Sequence, residues 1–218
     1  MTPAVGLSGA PFNAGHIEIC GGIASGKTTL AQLLARLQYV PTLEDFQGNP
    51  FWKAFYADPA ANAFETEISF LLQHYHEIKA AVKAGHSFAC DFSPYLDLAY
   101  SQVTLPESSR HAFLAVYQEV KRELPPPNLL IHLQCGPETE LERIRRRGRK
   151  VESSITIEYL QRINSQLEEV LTHDTYADQK LVLDSSQLDF ANNEEVKQSV
   201  LNKIGQRLES IIVDTYRR

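Results

Sequence analysis

The residues from Gly21 to Thr29 have the types and spacing of a loop that binds phosphate groups, Gly-x4-Gly-Lys-Thr. Its glycines let the backbone N–H groups turn towards an anion, and a following helix adds a partial positive charge. Lys27 can reach the β- and γ-phosphates, and the Thr28 hydroxyl can be a ligand of Mg²⁺. The residues expected to contact nucleotide are Gly21, Gly22, Ile23, Ala24, Ser25, Gly26, Lys27, Thr28 and Thr29. The sequence therefore predicts a bound nucleoside triphosphate.

A cluster of arginines between positions 143 and 149 is the second set of residues that could manage phosphate charge. A nucleic-acid patch and a solvated helix end are alternative interpretations, since arginine suits the end of a helix. We favour a mobile lid over about 143–153, because a guanidinium matches the geometry of phosphate oxygens. Gly148 would be its hinge.

Two carboxylates, Glu44 and Asp91, follow apolar runs that are typical of buried strands. A carboxylate helps an alcohol to attack phosphorus by taking its proton, which is the role predicted for Glu44. Mg²⁺ needs oxygen ligands besides Thr28, and Asp91 suits that role. The alternative for each is a helix cap or a surface acid.

The elements that would position these groups alternate along the chain between short strands and helices. The predicted strands are residues 17–20, 39–44, 86–91, 128–134 and 180–184. The predicted helices are residues 27–38, 49–56, 62–83, 94–103, 106–124, 137–147, 155–172 and 192–216. Such alternation predicts an α/β fold with a parallel sheet and helices on both faces. Ligands bind such sheets at the carboxyl ends of the strands, where Glu44, Asp91 and the phosphate-binding loop would meet.

The composition of the 218 residues is that of an ordinary globular protein, with 43% hydrophobic and 22% charged residues. We predict a flexible N-terminal arm over 1–15 and one domain over 16–218. A net charge of −6 argues against a nucleic-acid or anionic-membrane partner, and no apolar run approaches the ~20 residues of a membrane span. Cys20, Cys90 and Cys135 are far apart and lack metal-ligand spacing, which favours buried thiols and a cytoplasmic location.

The sequence from about His16 to its C-terminus resembles the deoxynucleoside kinases, the family of deoxycytidine, deoxyguanosine and deoxyadenosine kinases. The blocks that carry the resemblance are 21–29, Glu44 with 49–51, 63–72, 91–97, 143–152 with 158–160, and the weaker 188–190. The resemblance implies a three-layer P-loop NTPase fold with a five-stranded parallel sheet and an arginine-rich lid. It also implies ATP and Mg²⁺, a deoxynucleoside acceptor and a homodimer.

The resemblance further implies roles for individual residues. Glu44 would deprotonate the sugar 5′-hydroxyl, and Asp91 would lie near Mg²⁺. The lid positions that grip phosphates are Arg143, Arg147 and Arg149. The positions that hold the sugar 3′-hydroxyl are Tyr56 and Glu152. The positions that read the edge of the base are Glu67 and Asp97. Asp189 and Phe190 lie where the family contacts the adenine of ATP.

The sequence departs from the family pattern at two places. The family has an arginine after the acid that corresponds to Asp91, whereas this chain has Phe92, and Arg145 or Arg146 could compensate for the loss. Glu67 stands where the family has glutamine, although another register would make Gln73 the reader. An ionised glutamate only accepts hydrogen bonds, which favours a purine and guanine over adenine, unless the acid is protonated.

The sequence also contains two neighbouring histidines, and it leaves two alternative functions open. His74 stands where the family has a basic residue, and together with His76 it makes a poor metal pair, so both are interpreted as structural or as polar lining. A kinase of nucleoside monophosphates, such as thymidylate, also has an arginine lid. A degenerate kinase that binds nucleotide and regulates a partner would explain the missing arginine at Phe92.

Overall fold

The strands of this chain form one five-stranded sheet in which every neighbouring pair is parallel. The computed structural model describes residues 15–173 and 179–217. The predicted N-terminal arm therefore lies outside the described residues, apart from Gly15. The strands are β1 His16–Gly21, β2 Val40–Thr42, β3 Phe88–Cys90, β4 Leu129–Gln134 and β5 Lys180–Asp184, in the spatial order β2-β3-β1-β4-β5. The predicted parallel sheet is confirmed.

Helices surround this sheet, as the alternating pattern predicts. They are α1 Lys27–Leu33, α2 Trp52–Ala57, α3 Pro59–Ala84, α4 Pro94–Thr104, α5 Glu107–Glu123, α6 Pro137–Arg147, α7 Ile157–Thr172 and α8 Glu194–Arg217. Hydrophobic side chains of α1 and α8 pack on one face of the central strands, and those of α4 and α7 pack on the other face. None of the helices in the described ranges has the length and hydropathy of a membrane span.

Local chemistry explains where the longest helix begins and ends. The Asp58 side chain accepts a hydrogen bond from the Ala61 N–H at 3.2 Å, and Pro59 occupies the first turn, where its missing N–H costs nothing. Gly85 ends the helix in the left-handed conformation at φ 73°. The helix predicted over 62–83 therefore begins earlier than expected, because Asp58 caps it.

Other predicted boundaries differ from the structure by one to five residues; the short helix predicted from 49, for example, begins at Trp52. The helix predicted over 27–38 ends at Leu33, and the chain tightens into a 3-10 helix at Leu34–Leu37 before it turns towards β2. The helix predicted from 155 begins at Ile157, because the Thr156 hydroxyl caps it. The closing helix begins at Glu194 rather than 192, since Asn193 accepts from the N–H groups that follow it.

The register of the parallel strands places the predicted functional groups at one edge of the sheet. Thr42 of β2 lies beside Cys90 of β3, and Glu18 of β1 lies beside Cys90 from the other side. Glu44 and Asp91 follow those strands within two residues, and the phosphate-binding loop follows β1 directly. The carboxyl edge therefore collects them, although they are distant in the sequence.

Candidate active site

A cavity of about 720 Å³ opens at the carboxyl edge of the sheet. It extends from the phosphate-binding loop, past the loop after β2, to the facing sides of α3 and α4, and the segment after α6 covers it. The predicted site residues that line it are Ile23, Ala24, Gly26, Lys27, Thr28, Thr29, Glu44, Tyr56, Glu67, Asp91, Asp97, Arg143, Arg147, Arg149, Glu152, Asp189 and Phe190. The volume suits a ligand that combines a sugar, a base and phosphate groups.

The phosphate-binding loop is held in shape by its own lysine. Nζ of Lys27 donates hydrogen bonds to the carbonyl oxygens of Gly21 at 2.9 Å and Gly22 at 2.8 Å. Gly26 caps α1 at φ 106°, a conformation that a side chain disfavours, and the residues from Gly26 to Thr29 at the start of that helix line the cavity. The Lys27 ammonium therefore lies where the oxygen atoms of a bound phosphate would compete with these carbonyl oxygens for its hydrogen bonds.

Glu140 supports the loop from behind. It belongs to α6, is fully buried, and accepts a hydrogen bond from the Asn164 amide at 3.1 Å. A Cβ atom built on Gly22 would lie 2.0 Å from Oε1 of Glu140 and 2.4 Å from Oδ1 of Asn164. Burial raises the pKa of Glu140 to about 7, against the hydrogen bond from Asn164 and the charge of Lys27. Glycine at position 22 is required because these two side chains fill the space.

Thr28, Asp91 and Glu44 form a chain of contacts next to that loop. The Thr28 hydroxyl donates to Oδ2 of Asp91 at 2.5 Å, and the backbone N–H of Glu44 donates to Oδ1 of Asp91 at 2.7 Å. Burial raises the pKa of Asp91, and the hydrogen bond from Thr28 opposes that rise. One hydroxyl and one carboxylate are hard oxygen donors of the kind that Mg²⁺ prefers, so these residues fit the metal.

Those two residues would leave most of the magnesium coordination to phosphates and water. Within residues 15–173 and 179–217 no cluster of three or more histidine, cysteine, aspartate or glutamate side chains could hold a metal ion by itself. A magnesium ion that is bound through one or two protein oxygens plus substrate phosphates is the usual arrangement where phosphoryl groups are transferred.

Glu44 is paired with a histidine that comes from the middle of α3. Nε2 of His74 lies 3.2 Å from Oε1 of Glu44, and Nδ1 of His74 lies 2.9 Å from Oδ2 of Asp97. Burial alone would raise the pKa of Glu44, but His74 and the Lys27 ammonium outweigh it and hold that pKa below its usual value. The Glu44 side chain is about a third exposed and lines the cavity, and its lowered pKa favours the ionised carboxylate.

Glu67 is a buried acid at the deep end of the cavity. Its Oε1 lies 2.9 Å from the Thr104 hydroxyl, which also lies 2.9 Å from the Tyr100 carbonyl oxygen. The Thr104 hydroxyl has one hydrogen, which it donates to Glu67 and shares with the Tyr100 carbonyl oxygen. Burial raises the pKa of Glu67 to about 8, against the hydrogen bond with Thr104, which agrees with a neutral acid at pH 7. The preference for guanine was derived from an ionised Glu67, whereas this pKa favours the protonated alternative.

The lid begins with Arg143, which lies across the phosphate-binding loop. Its Nη2 donates to the Ser185 carbonyl oxygen at 2.8 Å, and its Nη1 lies 3.3 Å from the Ser25 carbonyl oxygen and 3.4 Å from that of Ala24. These contacts tie α6 to the end of β5 and to the loop. Arg143 is already at the phosphate end of the cavity, and its partners are neutral oxygen atoms and the Cys135 sulfur.

The rest of the lid is organised by one buried carboxylate. Glu152 is 3% exposed and accepts two hydrogen bonds from Arg147, from Nε at 2.8 Å and from Nη2 at 2.7 Å. Arg149 adds a longer contact of 3.3 Å, and its guanidinium lies 4.1 Å from the centre of the Phe46 ring. Gly148, between them, ends α6 at φ 69°. Arg146 lines the cavity as well, whereas Arg145 does not.

The opposite end of the loop is closed by the segment between β5 and α8. Asp189 accepts hydrogen bonds from the backbone and side-chain nitrogens of Asn192 at 3.1 and 3.0 Å. Phe190 is 4% exposed and packs so close to Gly26 that an added Cβ would lie 3.1 Å from its ring. Both residues lie where they could border a nucleotide that extends from the loop.

Gln73, the alternative reader of the base, does not line the cavity; its side-chain amide donates to the Asp45 carbonyl oxygen at 2.9 Å. Gly21, Gly22 and Ser25 belong to the loop but face its interior rather than the cavity. Lining residues that the sequence did not single out include Phe46, Trp52, Phe55, Phe70, Leu96, Tyr100 and Tyr159. Their only sequence signal is aromatic or apolar character, which core positions share.

Comparison with known proteins agrees with this geometry. The family model described as "Deoxynucleoside kinase" matches residues 17–209. A deoxyguanosine kinase of Bacillus subtilis is 28% identical over 215 residues, which cover 95% of this chain and 100% of that protein. A deoxyadenosine kinase of Dictyostelium discoideum is 30% identical over 162 residues, which cover 72% of this chain and 66% of that protein.

Solved structures show the same fold. A deoxyadenosine kinase from M. mycoides, solved with dCMP as product and a flexible dCDP, superimposes with a TM-score of 0.76. It is 24% identical, and the superposition covers 87% of this chain and 98% of that one. The same enzyme with bound dCTP gives a TM-score of 0.74 at 21% identity. The family match extends over most of the sequence, including the phosphate-binding loop and the lid, and the chain therefore belongs to the deoxynucleoside kinase family.

Proposed function

We propose that this chain transfers the γ-phosphoryl group of ATP to the 5′-hydroxyl of a purine deoxynucleoside. The observation that carries the proposal is the single cavity in which the phosphate-binding loop faces the ionised Glu44 carboxylate and ends at Glu67 and Asp97. A donor of phosphate, a group that takes a proton and a polar pocket for a base thus share one space.

The donor side would bind ATP through the loop and the lid. Phosphate oxygens would take over the hydrogen bonds that Lys27 and Arg143 now make to carbonyl oxygens, because a charged acceptor binds a cation more strongly than a neutral one. Thr28 and Asp91 would hold Mg²⁺, which when bound neutralises charge on the phosphate oxygens. Asp189 and Phe190 are the proposed neighbours of the adenine ring.

The acceptor side would place the sugar between Glu44 and the lid. Glu44 would accept the proton of the 5′-hydroxyl as that oxygen bonds to phosphorus. Tyr56 and Glu152 line the cavity on the side where the 3′-hydroxyl is expected, and Arg147 fixes Glu152 by two hydrogen bonds. Arg147 and Arg149 have further N–H groups that could reach the transferred phosphoryl group.

The base would be read by Glu67 and Asp97. A neutral Glu67 offers both a donor and an acceptor, as the family glutamine does, so it can match adenine as well as guanine. The expected preference for guanine over adenine was derived from an ionised Glu67 and does not follow from a neutral one. A purine remains the proposal, and the similar kinases named above are called deoxyguanosine and deoxyadenosine kinases.

The two alternatives make different demands on the cavity. A nucleoside monophosphate kinase needs cations for the phosphate of its acceptor, yet the arginines that line the described cavity all come from positions 143–149 of the lid. A degenerate regulator would need to have lost catalytic groups, whereas Lys27, Glu44 and Asp91 all face the cavity. We also propose a homodimer in the cytoplasm; exposed apolar side chains of α3, at Phe64, Leu72 and Val82, are candidates for its interface.

A coupled assay of ADP release with ATP, the four common deoxynucleosides and their monophosphates tests the proposal. We expect turnover on purine deoxynucleosides, and Glu44→Gln should lower kcat on the order of 10²-fold or more while ATP still binds. Glu65→Gln, on an exposed face of α3, is the matched control and should keep the kcat of the original protein. Turnover on monophosphates alone, or a Glu44→Gln variant that keeps full kcat, would contradict the proposal.

A further inference from the structure

His74 lies at the floor of the cavity between two carboxylates that come from different elements. Its Nδ1 is 3.0 and 2.9 Å from the two oxygens of Asp97 on α4, and its Nε2 is 3.2 Å from Oε1 of Glu44 in the loop after β2. The side chain is 3% exposed. A carboxylate only accepts hydrogen bonds, so each ring nitrogen needs a hydrogen to face one. The arrangement is that of an imidazolium bridging two anions.

The plane of that ring is fixed by Phe92. The two rings are stacked with centroids 4.2 Å apart and an interplanar angle of 8°, and Phe92 is 1% exposed. Phe70 stacks more loosely, with its centroid 5.8 Å from that of His74. The face of an aromatic ring attracts a cation, so Phe92 both orients and stabilises a charged His74. A positive side chain at position 92 would instead repel it.

The charges around His74 agree with this arrangement. The charged or titratable groups that face it are Asp97 from α4, Glu44 from the loop after β2 and Glu67 from its own helix. Burial alone would lower the pKa of His74, but Asp97 and Glu44 outweigh it and raise that pKa to about 10. His74 therefore carries its charge throughout the neutral range.

Glu44 needs such a partner because little else fixes its side chain. Its backbone N–H is held by Asp91, but its carboxylate is about a third exposed on a loop. The 3.2 Å contact with Nε2 of His74 is an ion pair whose angle departs from that of a hydrogen bond, and no other described group bonds to Nε2. One ion pair from the protein side thus aims the carboxylate and leaves its remaining lone pairs for substrate.

We propose that His74 is a positioning residue, which holds Glu44 in the orientation for proton transfer. Its imidazolium also supplies a cation beside Glu44, which Phe92, standing in place of an arginine, cannot supply. The inference rests on the proposed function. Asp97 anchors the imidazolium from the other side, so the group that reads the base and the group that takes the proton are joined through one ring. A misplaced base shifts Glu44 through the same contacts.

Steady-state kinetics of His74→Gln test this role. Glutamine keeps N–H donors on one nitrogen, but it loses the charge and the second nitrogen that faces the other carboxylate. We expect kcat to fall about 10- to 100-fold, since a small misplacement of a catalytic group has effects of that size, while the KM for ATP changes less than about twofold. His76→Gln, exposed on the same helix, should keep both constants. Loss confined to the KM for ATP would overturn the proposal.

A double-mutant cycle with Glu44→Gln separates positioning from general damage. If His74 acts through Glu44, replacing His74 in the Glu44→Gln protein should cost less than about twofold in kcat, because the group it positions is already lost. Equal fold losses in both backgrounds would overturn the proposal, since they mean that the two residues act independently.

Nitrogen-15 NMR of the imidazole gives a measurement that does not depend on turnover. We expect both nitrogens of His74 to be protonated at pH 7.5, and His76 to be the internal comparison. A neutral His74 at that pH would overturn the proposal, whether or not the protein is active. A protein that phosphorylates no deoxynucleoside would refute the proposed function, whereas a charged His74 in that protein would still support the imidazolium bridge between Glu44 and Asp97.

Discussion

Replacing Glu67 by glutamine should change how the stability of this protein depends on pH. Burial raises the pKa of Glu67 to about 8 from an ordinary value of 4.5, so the folded state binds its proton more tightly than the unfolded state does. The stabilisation that comes from this proton is complete below the unfolded pKa and is lost as the pH rises towards the folded pKa. Glutamine is neutral at every pH, so the stability of the variant lacks this dependence on pH.

The size of the effect follows from the two pKa values. Their difference, at about 1.4 kcal/mol for each pKa unit, corresponds to roughly 5 kcal/mol in full, of which roughly 3 kcal/mol falls between pH 5.5 and pH 8.5. Most domains have only about 5–15 kcal/mol of stability, so this loss should be plain. The raised pKa of His74 also removes stability as the pH rises towards about 10, but both proteins share that effect.

Urea denaturation at several pH values between 5.5 and 8.5 measures the prediction. We expect the free energy of unfolding of Glu67→Gln, relative to that of the original protein, to rise by roughly 3 kcal/mol over that range. Glu65→Gln makes the same chemical change two residues away on an exposed face of α3 and should follow the original protein throughout. Parallel curves for the original protein and Glu67→Gln would refute a neutral Glu67, and with it the argument that adenine and guanine are both matched.

Two further predictions concern the loop and the lid. Gly22→Ala should weaken ATP binding about tenfold or more in a titration, because the new Cβ would lie 2.0 Å from Oε1 of Glu140. Gly205→Ala is the control and should bind ATP normally, since a Cβ there would meet no atom of another element within 4 Å. Equal affinities of the two variants would contradict the packing argument. Glu152→Gln should lower kcat/KM for the deoxynucleoside about 10- to 100-fold, because Arg147 loses its charged partner. Glu142→Gln, exposed on α6, is the control and should keep the kcat/KM of the original protein. An unchanged kcat/KM in Glu152→Gln would contradict a role of the lid in acceptor binding.

The sheet and the donor side of the site could be predicted because their signals are local. A glycine-rich loop between an apolar run and a helix needs no distant partner to be recognised, and parallel strands then bring Glu44 and Asp91 to it. The helix boundaries were less certain because caps decide them. Asp58 and Thr156 each move a boundary by a few residues through one side chain.

The acceptor side could be predicted only in part, since its chemistry depends on burial and on contacts between distant residues. The pKa of Glu67 depends on its burial, which raises it, and on the hydrogen bond from Thr104, thirty-seven positions along the chain, which opposes that rise. The pairing of His74 with Glu44 needs the loop after β2 to fold over α3. A spacing of seven residues between Glu67 and His74 places them on one helix face, but it says nothing of the carboxylates opposite.

The cations in this site fall into two groups according to whether their present partners are neutral or charged. Lys27 and Arg143 bond to backbone carbonyl oxygens, which are neutral, so a phosphate oxygen can replace those partners with a gain in charge interaction. His74 and Arg147 bond to carboxylates, and exchanging a carboxylate for a phosphate gains much less.

The first pair is therefore free to follow the donor phosphates, while the second pair stays with Glu44, Asp97 and Glu152 and keeps them in place. This division also explains why phenylalanine is compatible with a kinase site at position 92. The cation that Glu44 needs does not have to bind phosphate as well, so a histidine that is stacked on Phe92 and tied to Asp97 is sufficient to position it.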